Sequence, residues 1–406
     1  MQKRKTVRLG LAFKLLLIVS TLLSACSIEQ APIPALEEEE AVEHAESNAL
    51  TITPFQAVDE PVLYDVIMQK EADWLQWLQL DSGAVPKFKG PNGESEYSLT
   101  PYFTVIALEG LLEVPGYESV VLDYMNWHFA HLNRTATATT PIGSIDDYVI
   151  LADGTERPTG DFDSTDSYGS TFINLLRRYA EFTGDYSYLI DHKEEIGLIA
   201  DAMLSTLEPD GLTWAKPSYK VKYVMDNAEV VSGLRDLEWM SREIFDDEAA
   251  AAEYKRLKEV VSTAIEQELW DEPRQAYAYA KGEDGALSFP NWTVFYPDAT
   301  AQLFPIVTGL IEPDSERAIA LYNKFNTFHR GWPLLQKSDP FPWAILAYTA
   351  ALMGDKERTD QFLVSVNEQF IAKDHPWPWY VMESGFTIWA ASIAKQLEHG
   401  EDGSDD

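Results

Sequence analysis

Apolar residues recur along most of the chain at the three- and four-residue spacing of one helix face. No series of alternating apolar and polar residues, which is typical of strands, competes with that pattern. The pattern predicts twelve helices in six consecutive pairs, and therefore an all-α fold. The pairs are 61–80 with 101–112, 117–132 with 165–183, 187–207 with 226–244, 247–269 with 297–309, 313–328 with 341–353, and 356–372 with 381–397.

The predicted connections alternate in length. Within the pairs they are usually long, at about 20, 32, 18, 27, 12 and 8 residues in chain order. Between the pairs they are short and carry turn and cap residues, as in the run Thr183-Gly184-Asp185. Because neighbouring helices run antiparallel, this alternation places every long loop at the end where the second helix of each pair begins. We expect these loops to build one common mouth.

The two helices of a pair differ in apolar content. The second helices are apolar nearly all round, as over 344–352 and 386–394, whereas the first helices carry a charged face, as over 248–266. A helix that is apolar on all sides belongs inside a fold, and an amphipathic helix belongs at its surface. The sequence therefore predicts an (α/α)6 toroid with six inner and six outer helices. An open helical solenoid of the same repeats is the alternative.

The two ends of the chain differ in composition from the helical region. Residues 1–25 combine a basic start with a short apolar stretch, as secretory signal peptides do. Residues 26–59 are acidic and rich in Glu, Ala and Pro, without an apolar period. The sequence thus predicts a signal peptide over 1–25, a flexible tether over 26–59, the helical domain over 60–397 and a disordered acidic tail over 398–406.

The predicted signal peptide ends in the run Leu23-Ser24-Ala25-Cys26, which contains the single cysteine of the chain. This run resembles the lipobox of bacterial lipoproteins. The resemblance implies that Cys26 carries the lipid that anchors the protein to the extracytoplasmic face of the cell membrane, because several acyl chains together give durable anchoring. A buried hydrophobic cysteine is the alternative.

Composition narrows the functional classes. Of the 406 residues, 46% are hydrophobic, which suffices for a large core, and the formal net charge is -35. A charge of this sign repels the phosphate backbone, so nucleic acid is not an expected partner. One cysteine excludes a disulfide framework and a cysteine-based zinc site.

Two runs near the starts of second helices carry a further resemblance. They are Asp163-Ser164-Thr165-Asp166-Ser167-Tyr168 and Tyr223-Val224-Met225-Asp226-Asn227-Ala228-Glu229. With the six predicted hairpins over about 60–397, these runs resemble the (α/α)6-barrel glycosidases, a superfamily that includes glucoamylase-like, trehalase-like and endoglucanase-like enzymes. The resemblance implies hydrolysis of a glycosidic bond in an oligo- or polysaccharide, with inversion of configuration.

Glycoside hydrolysis requires a carboxylic acid that protonates the leaving oxygen and a carboxylate that activates water or attacks the sugar. The predicted inner helices offer acids of both kinds near their starts. We select as candidate catalytic residues Asp166, Asp226, Glu229 and Glu383, and as candidate substrate-binding acids Asp163 and Asp298.

Each of these acids also has a structural interpretation. The spacings Asp163-x-x-Asp166 and Asp226-x-x-Glu229 are those of capping boxes, and Asp298 suits the first turn of a helix. Six helix dipoles directed at one mouth are expected to keep most of these carboxylates ionised. That state suits bases and substrate-binding groups better than a proton donor.

Two arguments disagree about the roles of the acids. The aromatic residues that precede Glu383, over 377–380, favour a desolvated proton donor at that position. The superfamily resemblance instead implies an acid in mid-chain, Asp226 or Glu229, with Glu383 as the base.

Six tryptophans fall in predicted long loops or first turns, where exposed rings offer flat platforms to pyranose rings. With Tyr168 and Arg330, the latter for an anionic sugar group, they complete the candidate substrate-binding set: Trp214, Trp292, Trp332, Trp343, Trp377 and Trp379. Packing of these rings over the barrel end is the alternative. Removal of residues 1–25 takes the net charge from -35 to -40, so we expect a neutral or cationic glycan to enter more easily than a strongly anionic one.

Other chemistries lack their motifs. The chain has no glycine-rich phosphate loop, no nucleophile elbow and no His-Glu-x-x-His run, and His128-x-x-His131 lies on a predicted outer helix, so no metal and no cofactor is predicted. A polysaccharide lyase or sugar epimerase on the same toroid, using His329, Arg330 or His375 for proton transfer, is one alternative. A non-catalytic glycan-binding lipoprotein is the other.

Overall fold

The computed structural model describes residues 51–58, 61–89 and 96–402, with side chains as far as residue 398. The predicted signal peptide, Cys26, most of the tether and the end of the acidic tail lie outside these ranges. The described residues form thirteen α-helices. None of these helices is long and apolar enough to cross a membrane.

In chain order, the helices are α1 Tyr64–Leu78, α2 Pro101–Leu111, α3 Glu118–Ala130, α4 Thr165–Thr183, α5 Tyr186–Asp191, α6 Lys193–Leu204, α7 Val224–Glu243, α8 Glu248–Ala264, α9 Phe304–Val307, α10 Glu316–Phe328, α11 Ile345–Leu352, α12 Lys356–Gln369 and α13 Val381–Asp402.

The helices form two concentric rings. Helices α2, α4, α7, α9, α11 and α13 contact one another in that order, and α13 packs back against α2, so the inner ring is closed. Helices α1, α3, α6, α8, α10 and α12 pack against the outside of that ring. The all-α (α/α)6 toroid predicted from the sequence is confirmed, and the open solenoid is excluded by the contact between α2 and α13.

Two of the twelve predicted helices differ in detail from the structure. The predicted helix over 187–207 is divided into α5 and α6 at His192, whose φ of -106° and ψ of 16° are not helical. The predicted helix over 297–309 is a π-helical turn, Phe295–Ala299, then a 3₁₀ turn, Thr300–Leu303, and only then the short α9. Pro305, in the interior of the predicted helix, lacks the N–H that a regular helix needs there, whereas proline is tolerated at the first position, that of Pro297.

Eight short strands lie in the long loops, where the sequence pattern predicts no strands. They are β1 Glu96–Leu99, β2 Tyr148–Leu151, β3 Glu156–Pro158, β4 Val221–Tyr223, β5 Trp270–Asp271, β6 Ala276–Tyr277, β7 Ala280–Gly282 and β8 Leu287–Ser288. They pair antiparallel as β1-β2-β3, β4-β7-β8 and β5-β6. With two to four residues each, they are too short to produce a period-2 signal. Strand β4 leads directly into α7 and fixes the start of that inner helix.

Backbone contact between two glycines closes the inner ring. A Cβ atom at Gly110 of α2 would lie 2.3 Å from the carbonyl oxygen of Gly385 in α13. A Cβ atom at Gly385 would lie 2.5 Å from the carbonyl oxygen of Ile106. Glycine at both positions therefore lets the first and last inner helices approach more closely than any side chain would permit.

Candidate functional site

The first turns of the inner helices bring polar and aromatic side chains to one end of the toroid. Tyr102 in the first turn of α2 donates a hydrogen bond to Oε1 of Glu229 in α7 at 2.6 Å, across 127 residues of sequence. Its ring lies 5.9 Å from that of Tyr168 in α4. The loop ends and helix starts around these contacts form the mouth that the alternating loop lengths predicted, here called the funnel.

Four acids from the starts of α4 and α7 form a cluster on one side of the funnel. The four-acid cluster consists of Asp163, Asp166, Asp226 and Glu229. Asp166 and Asp226 interact electrostatically, and Asp226 also lies within the field of Glu229 and Asp163. The capping boxes are not formed, because the N-cap residues of α4 and α7 are Ser164 and Tyr223, which have no side-chain capping bond. Asp166 nevertheless accepts the first-turn N–H of Ser167, so the structural interpretation holds in part for this residue.

Burial controls the protonation of this cluster. Desolvation raises the pKa of Glu229 to about 7, although the nearby hydroxyls of Ser167 and Tyr102 act in the opposite direction. The pKa of Asp226 is raised well above its ordinary range, first by burial and then by the charges of Asp166, Glu229 and Asp163. The expectation that helix dipoles keep these carboxylates ionised is therefore wrong for the buried members.

The four acids differ in access and in hydrogen bonding. Asp166 is fully buried and accepts hydrogen bonds from the Ser167 N–H at 2.9 Å and the Thr213 hydroxyl at 2.6 Å. Asp163 is exposed and Asp226 is partly exposed. Within the described ranges, the carboxylates of Asp163 and Asp226 receive no hydrogen bond from a neighbouring residue, and of these two Asp226 is the less exposed. A substrate can therefore touch Asp163 and Asp226, whereas Asp166 acts only through its neighbours.

A second acidic group lies at the starts of α11 and α13. Both oxygens of Glu383 accept backbone N–H groups, from Trp343 at 3.1 Å and from Ala344 at 2.6 Å. Glu383 is 1% exposed, and burial raises its pKa to about 7. Beside it, Oδ1 of Asp339 accepts the Phe341 N–H and the Trp343 indole N–H, both at 2.8 Å.

Two tyrosines connect the acidic groups. The charges of Asp163, Asp226 and Glu229 and the charge of Asp339 all raise the pKa of Tyr296, after the larger effect of burial. Burial and the charges of Glu383 and Asp339 raise the pKa of Tyr380 in the same way. Tyr296 lies in the turn that leads to α9, and α9 lies between α7 and α11 in the inner ring. The four-acid cluster on α4 and α7 and the Glu383 group on α11 and α13 therefore belong to different sides of that ring.

The six candidate tryptophans separate into exposed and buried rings. Trp377 is 52% exposed, and Trp292 and Trp343 are partly exposed. Trp332 and Trp379 are completely buried, where their indole N–H groups donate to Asn326 and Ser384, respectively. A buried ring offers no face to a sugar, so the substrate-binding prediction for Trp332 and Trp379 is wrong.

Trp214 is also buried, and the ammonium of Lys222 lies 4.4 Å from its ring centroid. The expectation of an exposed platform at Trp214 is therefore not met.

Asp298 accepts the N–H of Asn291 at 2.8 Å and so fixes the loop before α9. Arg330 is exposed.

The histidines that a lyase or epimerase would use are engaged elsewhere. His375 is buried, stacks on Trp74 and lies 2.9 Å from Oε1 of Glu71, both on the outer helix α1. Nε2 of His329 lies 2.8 Å from the carbonyl oxygen of Trp292. These contacts fix the His375 ring in the core and the His329 ring against the loop that contains Trp292.

Several residues of the funnel were missed by sequence reasoning. They are Lys87, Tyr102, Asp147, Tyr296 and Asp339. Asp147 accepts the Tyr168 hydroxyl at 2.9 Å, and burial raises its pKa to about 7. Two of the five had a usable signal, since Tyr102 follows Pro101 at a helix start and Asp339 opens the run Asp339-Pro340-Phe341-Pro342-Trp343 before an inner helix. Lys87 and Asp147 lie in loops and Tyr296 lies in the π-helical turn, and no sequence pattern distinguishes the three.

Comparison with known proteins gives a likeness of fold. No family model and no curated protein matches the sequence. Among solved structures, a wild-type glycosidase has a TM-score of 0.56 at 13% identity and covers 83% of this chain and 96% of its own. A glycosidase variant in complex with glucose has a TM-score of 0.55, the same identity and the same coverage.

Two further solved structures are similar. A rhamnosidase from Klebsiella oxytoca with rhamnose bound has a TM-score of 0.55 at 11% identity, over 86% of this chain and 66% of its own. An α-mannanase of family GH76 from Bacteroides thetaiotaomicron has a TM-score of 0.52 at 12% identity, over 84% and 97%. Structural neighbours of this chain are thus glycosidases, and at these identities the likeness shows the toroid itself.

Proposed function

We propose that this protein hydrolyses a glycosidic bond in an oligo- or polysaccharide, with Asp226 as the proton donor and Glu383 as the base. The observation that carries the proposal is the pair of acidic groups on different sides of one aromatic funnel, held in environments that differ in hydrogen bonding. A glycosidase needs one carboxyl group protonated and another ionised at the same pH. The likeness of the fold to solved glycosidases supports the same conclusion.

Asp226 suits the donor role because its surroundings disfavour ionisation. Three acidic neighbours surround it, and no neighbouring residue in the described ranges donates a hydrogen bond to its carboxylate. Glu229 and Asp166, in contrast, both accept hydrogen bonds, which favour their ionised forms. The proton of the cluster therefore resides on Asp226, which is also partly exposed to the funnel.

Glu383 suits the base role because two backbone N–H groups favour its ionised form and fix its orientation. Asp339 is the second candidate for this role, since it is partly exposed whereas Glu383 is only 1% exposed. Both lie on the side of Tyr296 away from the four-acid cluster. Comparison of the Glu383→Gln and Asp339→Asn variants separates the two assignments.

We propose an inverting mechanism. In an inverting enzyme a water molecule must fit between the base and the anomeric carbon, so the two carboxyl groups lie about 6.5–9.5 Å apart. The position of the two residues on different inner helices, Asp226 on α7 and Glu383 on α13, supports this proposal. The configuration of the first-formed product, followed by NMR, tests this part.

The activity is tested by incubating the purified protein with a panel of plant, fungal and bacterial polysaccharides. We expect reducing ends to appear with at least one glycan and to be absent with the Asp226→Asn variant. An ultraviolet-absorbing unsaturated product would instead support the lyase. Binding without any cleavage, retained in Asp226→Asn and Glu383→Gln, would support the non-catalytic glycan-binding protein.

We further propose that the protein is a lipoprotein of the bacterial cell surface, anchored through Cys26. The run Leu23-Ser24-Ala25-Cys26 after a basic and apolar start supports this location. The Cys26→Ser variant tests the anchor. We expect the native protein in the membrane fraction, labelled by a fatty-acid analogue, and the variant unlabelled and released.

A further inference from the structure

Lys87 carries a nearly buried ammonium group at the wall of the funnel. The side chain is 7% exposed, and its Nζ lies 5.0 Å from the ring centroid of Phe103, 5.2 Å from that of Tyr380 and 5.7 Å from that of Trp377. Aromatic faces attract cations, and three rings around one ammonium hold it in place. The main chain is fixed as well, since the Lys87 carbonyl accepts the N–H of Val381 at the start of α13.

This ammonium has no ionic or hydrogen-bonding partner among the residues that the structure describes. A buried lysine is ordinarily paired with a carboxylate, as Lys222 is with Asp210 at 2.5 Å. The nearest charge acting on Lys87 is Asp147, which accepts a hydrogen bond from Tyr168 and forms no ion pair with the lysine. Among the described residues, the hydrogen-bond donors of the largely buried Lys87 ammonium are therefore unused.

The rings around Lys87 connect it to the rest of the site. Trp377 is 52% exposed and offers the open face on which a pyranose ring can stack. Tyr380 lies within the field of Glu383, the proposed base, and its carbonyl oxygen accepts the Glu383 N–H at 3.0 Å. The ammonium is thus separated from the region of the base by one aromatic ring.

We propose that Lys87 binds an anionic substituent of the sugar, a carboxylate or a sulfate ester, on a residue that stacks against Trp377. The substrate is then an acidic glycan. This inference names the substrate class of the proposed hydrolase. The reaction on such a glycan rests on the proposed function, whereas the binding of the anionic group does not depend on it. It also differs from the expectation, drawn from the net charge, that a neutral or cationic glycan enters more easily. The acids elsewhere in the funnel repel an anionic substituent, but the ammonium beside Trp377 attracts it at contact distance.

The test compares binding of D-glucuronate, glucose 6-sulfate and D-glucose, followed by intrinsic tryptophan fluorescence and by calorimetry. We expect the protein to bind at least one of the two anions on the order of 10- to 100-fold more tightly than glucose, the range of a charge-assisted hydrogen bond. Preference for glucuronate identifies a carboxylate, and preference for the sulfate identifies a sulfate ester. In Lys87→Met, affinity for the anion should fall to that for glucose.

A matched control and a stability measurement accompany this variant. Lys89 lies two residues away, over the ring of Trp77, and its Nζ donates to the Trp77 carbonyl outside the funnel. We expect Lys89→Met to leave the preference for the anion unchanged. Because an unpaired buried charge destabilises the fold, Lys87→Met should unfold at the same temperature as the native protein or a higher one. Lys87→Gln repeats the test should the methionine variant fail to fold.

In the binding experiment, two results would overturn the inference: equal binding of glucose and both anions by the native protein, or an unchanged preference in Lys87→Met and Lys87→Gln. The outcome is separable from that for the hydrolase. Tight binding of glucuronate without cleavage of any glycan supports the subsite and contradicts the proposed activity. Cleavage of neutral glycans alone, at equal rates in the native protein and Lys87→Met, supports the activity and contradicts the subsite.

Discussion

Trp343 presents its backbone N–H to Oε1 of Glu383 from a left-handed conformation, with φ at 63°. The next residue, Ala344, returns to the right-handed region at φ -59° and donates its N–H to Oε2. Two successive N–H groups in this arrangement form a concave site for an anion. A residue other than glycine in this region costs about 1–3 kcal/mol, so the start of α11 holds Glu383 at the expense of local stability.

Replacement of Glu383 tests the base assignment. Glu383→Gln keeps the size of the side chain but removes the proton acceptor. We expect kcat to fall by about 10²- to 10⁴-fold on a responsive glycan, the usual contribution of a general base, with little change in binding. Steady-state kinetics and a titration with the same glycan measure the two effects.

Asp339→Asn is the matched variant for this experiment. Asp339 shares the same side of the funnel and also binds Trp343, through the indole N–H. We expect a loss of less than about tenfold, because its role is to position the ring. A large loss in Asp339→Asn with a small loss in Glu383→Gln would transfer the base role to Asp339.

The activity should depend on pH as a bell-shaped curve. Glu383 must be ionised, and with its pKa raised to about 7 the rate should increase as the pH rises through that value. Asp226 must be protonated, and its pKa lies well above the ordinary range, so the rate should decline again at higher pH. The profile of kcat/KM measures both limbs. A rate already constant from pH 5 upward would contradict the assignment of Glu383.

Glu229 should make the fold less stable at high pH. Its pKa is about 7 in the folded chain and 4.5 in the ordinary, unfolded state, so the folded state binds its proton more tightly. The contribution of protonated Glu229 to the free energy of unfolding is fully present below about pH 4.5 and is lost as the pH rises to about 7. Glu229→Gln removes that loss, and the variant should be more stable at pH 8 by up to about 3 kcal/mol.

Denaturant unfolding at pH 4 and pH 8 measures the effect, and the difference should vanish at pH 4. Tyr102, which donates to Glu229, can bond to the amide oxygen in the variant. Glu243→Gln serves as the control, since Glu243 is exposed at the other end of α7. A variant at Glu229 that is less stable than the native protein at pH 8 would show that the ionised carboxylate is favourable here.

Trp377 and Trp332 should respond differently to truncation. Trp377→Ala removes a ring that is 52% exposed beside Lys87, so glycan binding should weaken on the order of tenfold while the melting temperature stays the same. Trp332→Ala removes a fully buried ring and should destabilise the fold by about 3–5 kcal/mol. Thermal unfolding and glycan titration distinguish the two. Similar loss of stability in both variants would contradict the binding role of Trp377.

The architecture could be predicted because its signals are local. The apolar period locates each helix, as at 165–183, which matches α4 to the residue, and the loop lengths set which ends lie together. The inner helix after α8 is the exception. Pro305 removes a hydrogen bond from its interior, and the apolar pattern alone does not reveal the π-helical and 3₁₀ turns that precede α9.

The candidate site was predictable only in part, because burial depends on distant segments. The carboxylates at the helix starts stood out in the sequence, but their protonation depends on contacts such as that of Tyr102 with Glu229, across 127 residues. The loop tryptophans present the same problem. Trp379 is buried against α1, and Trp377, two residues earlier, is exposed.

The glycine contact between α2 and α13 should determine whether the ring closes without strain. In Gly385→Ala the new methyl group would lie 2.5 Å from the Ile106 carbonyl oxygen, which belongs to the backbone and cannot turn aside. The two helices must then move apart, which costs about 1–3 kcal/mol as overpacking does. Denaturant unfolding measures the loss.

The control is a glycine on an outer helix with free space around it. At Gly197 in α6 an added methyl group would have no neighbour within 4 Å, so Gly197→Ala should stabilise the protein by about 0.5–1 kcal/mol through its better helix propensity. The two variants therefore change stability in opposite directions although both place alanine in a helix. The backbone contact between α2 and α13 at Gly385 lies close to the first turns of these helices, which carry Tyr102 and Glu383. Gly385→Ala should therefore also displace these two residues relative to each other and lower kcat. Stabilisation by Gly385→Ala would contradict the close approach of the two backbones.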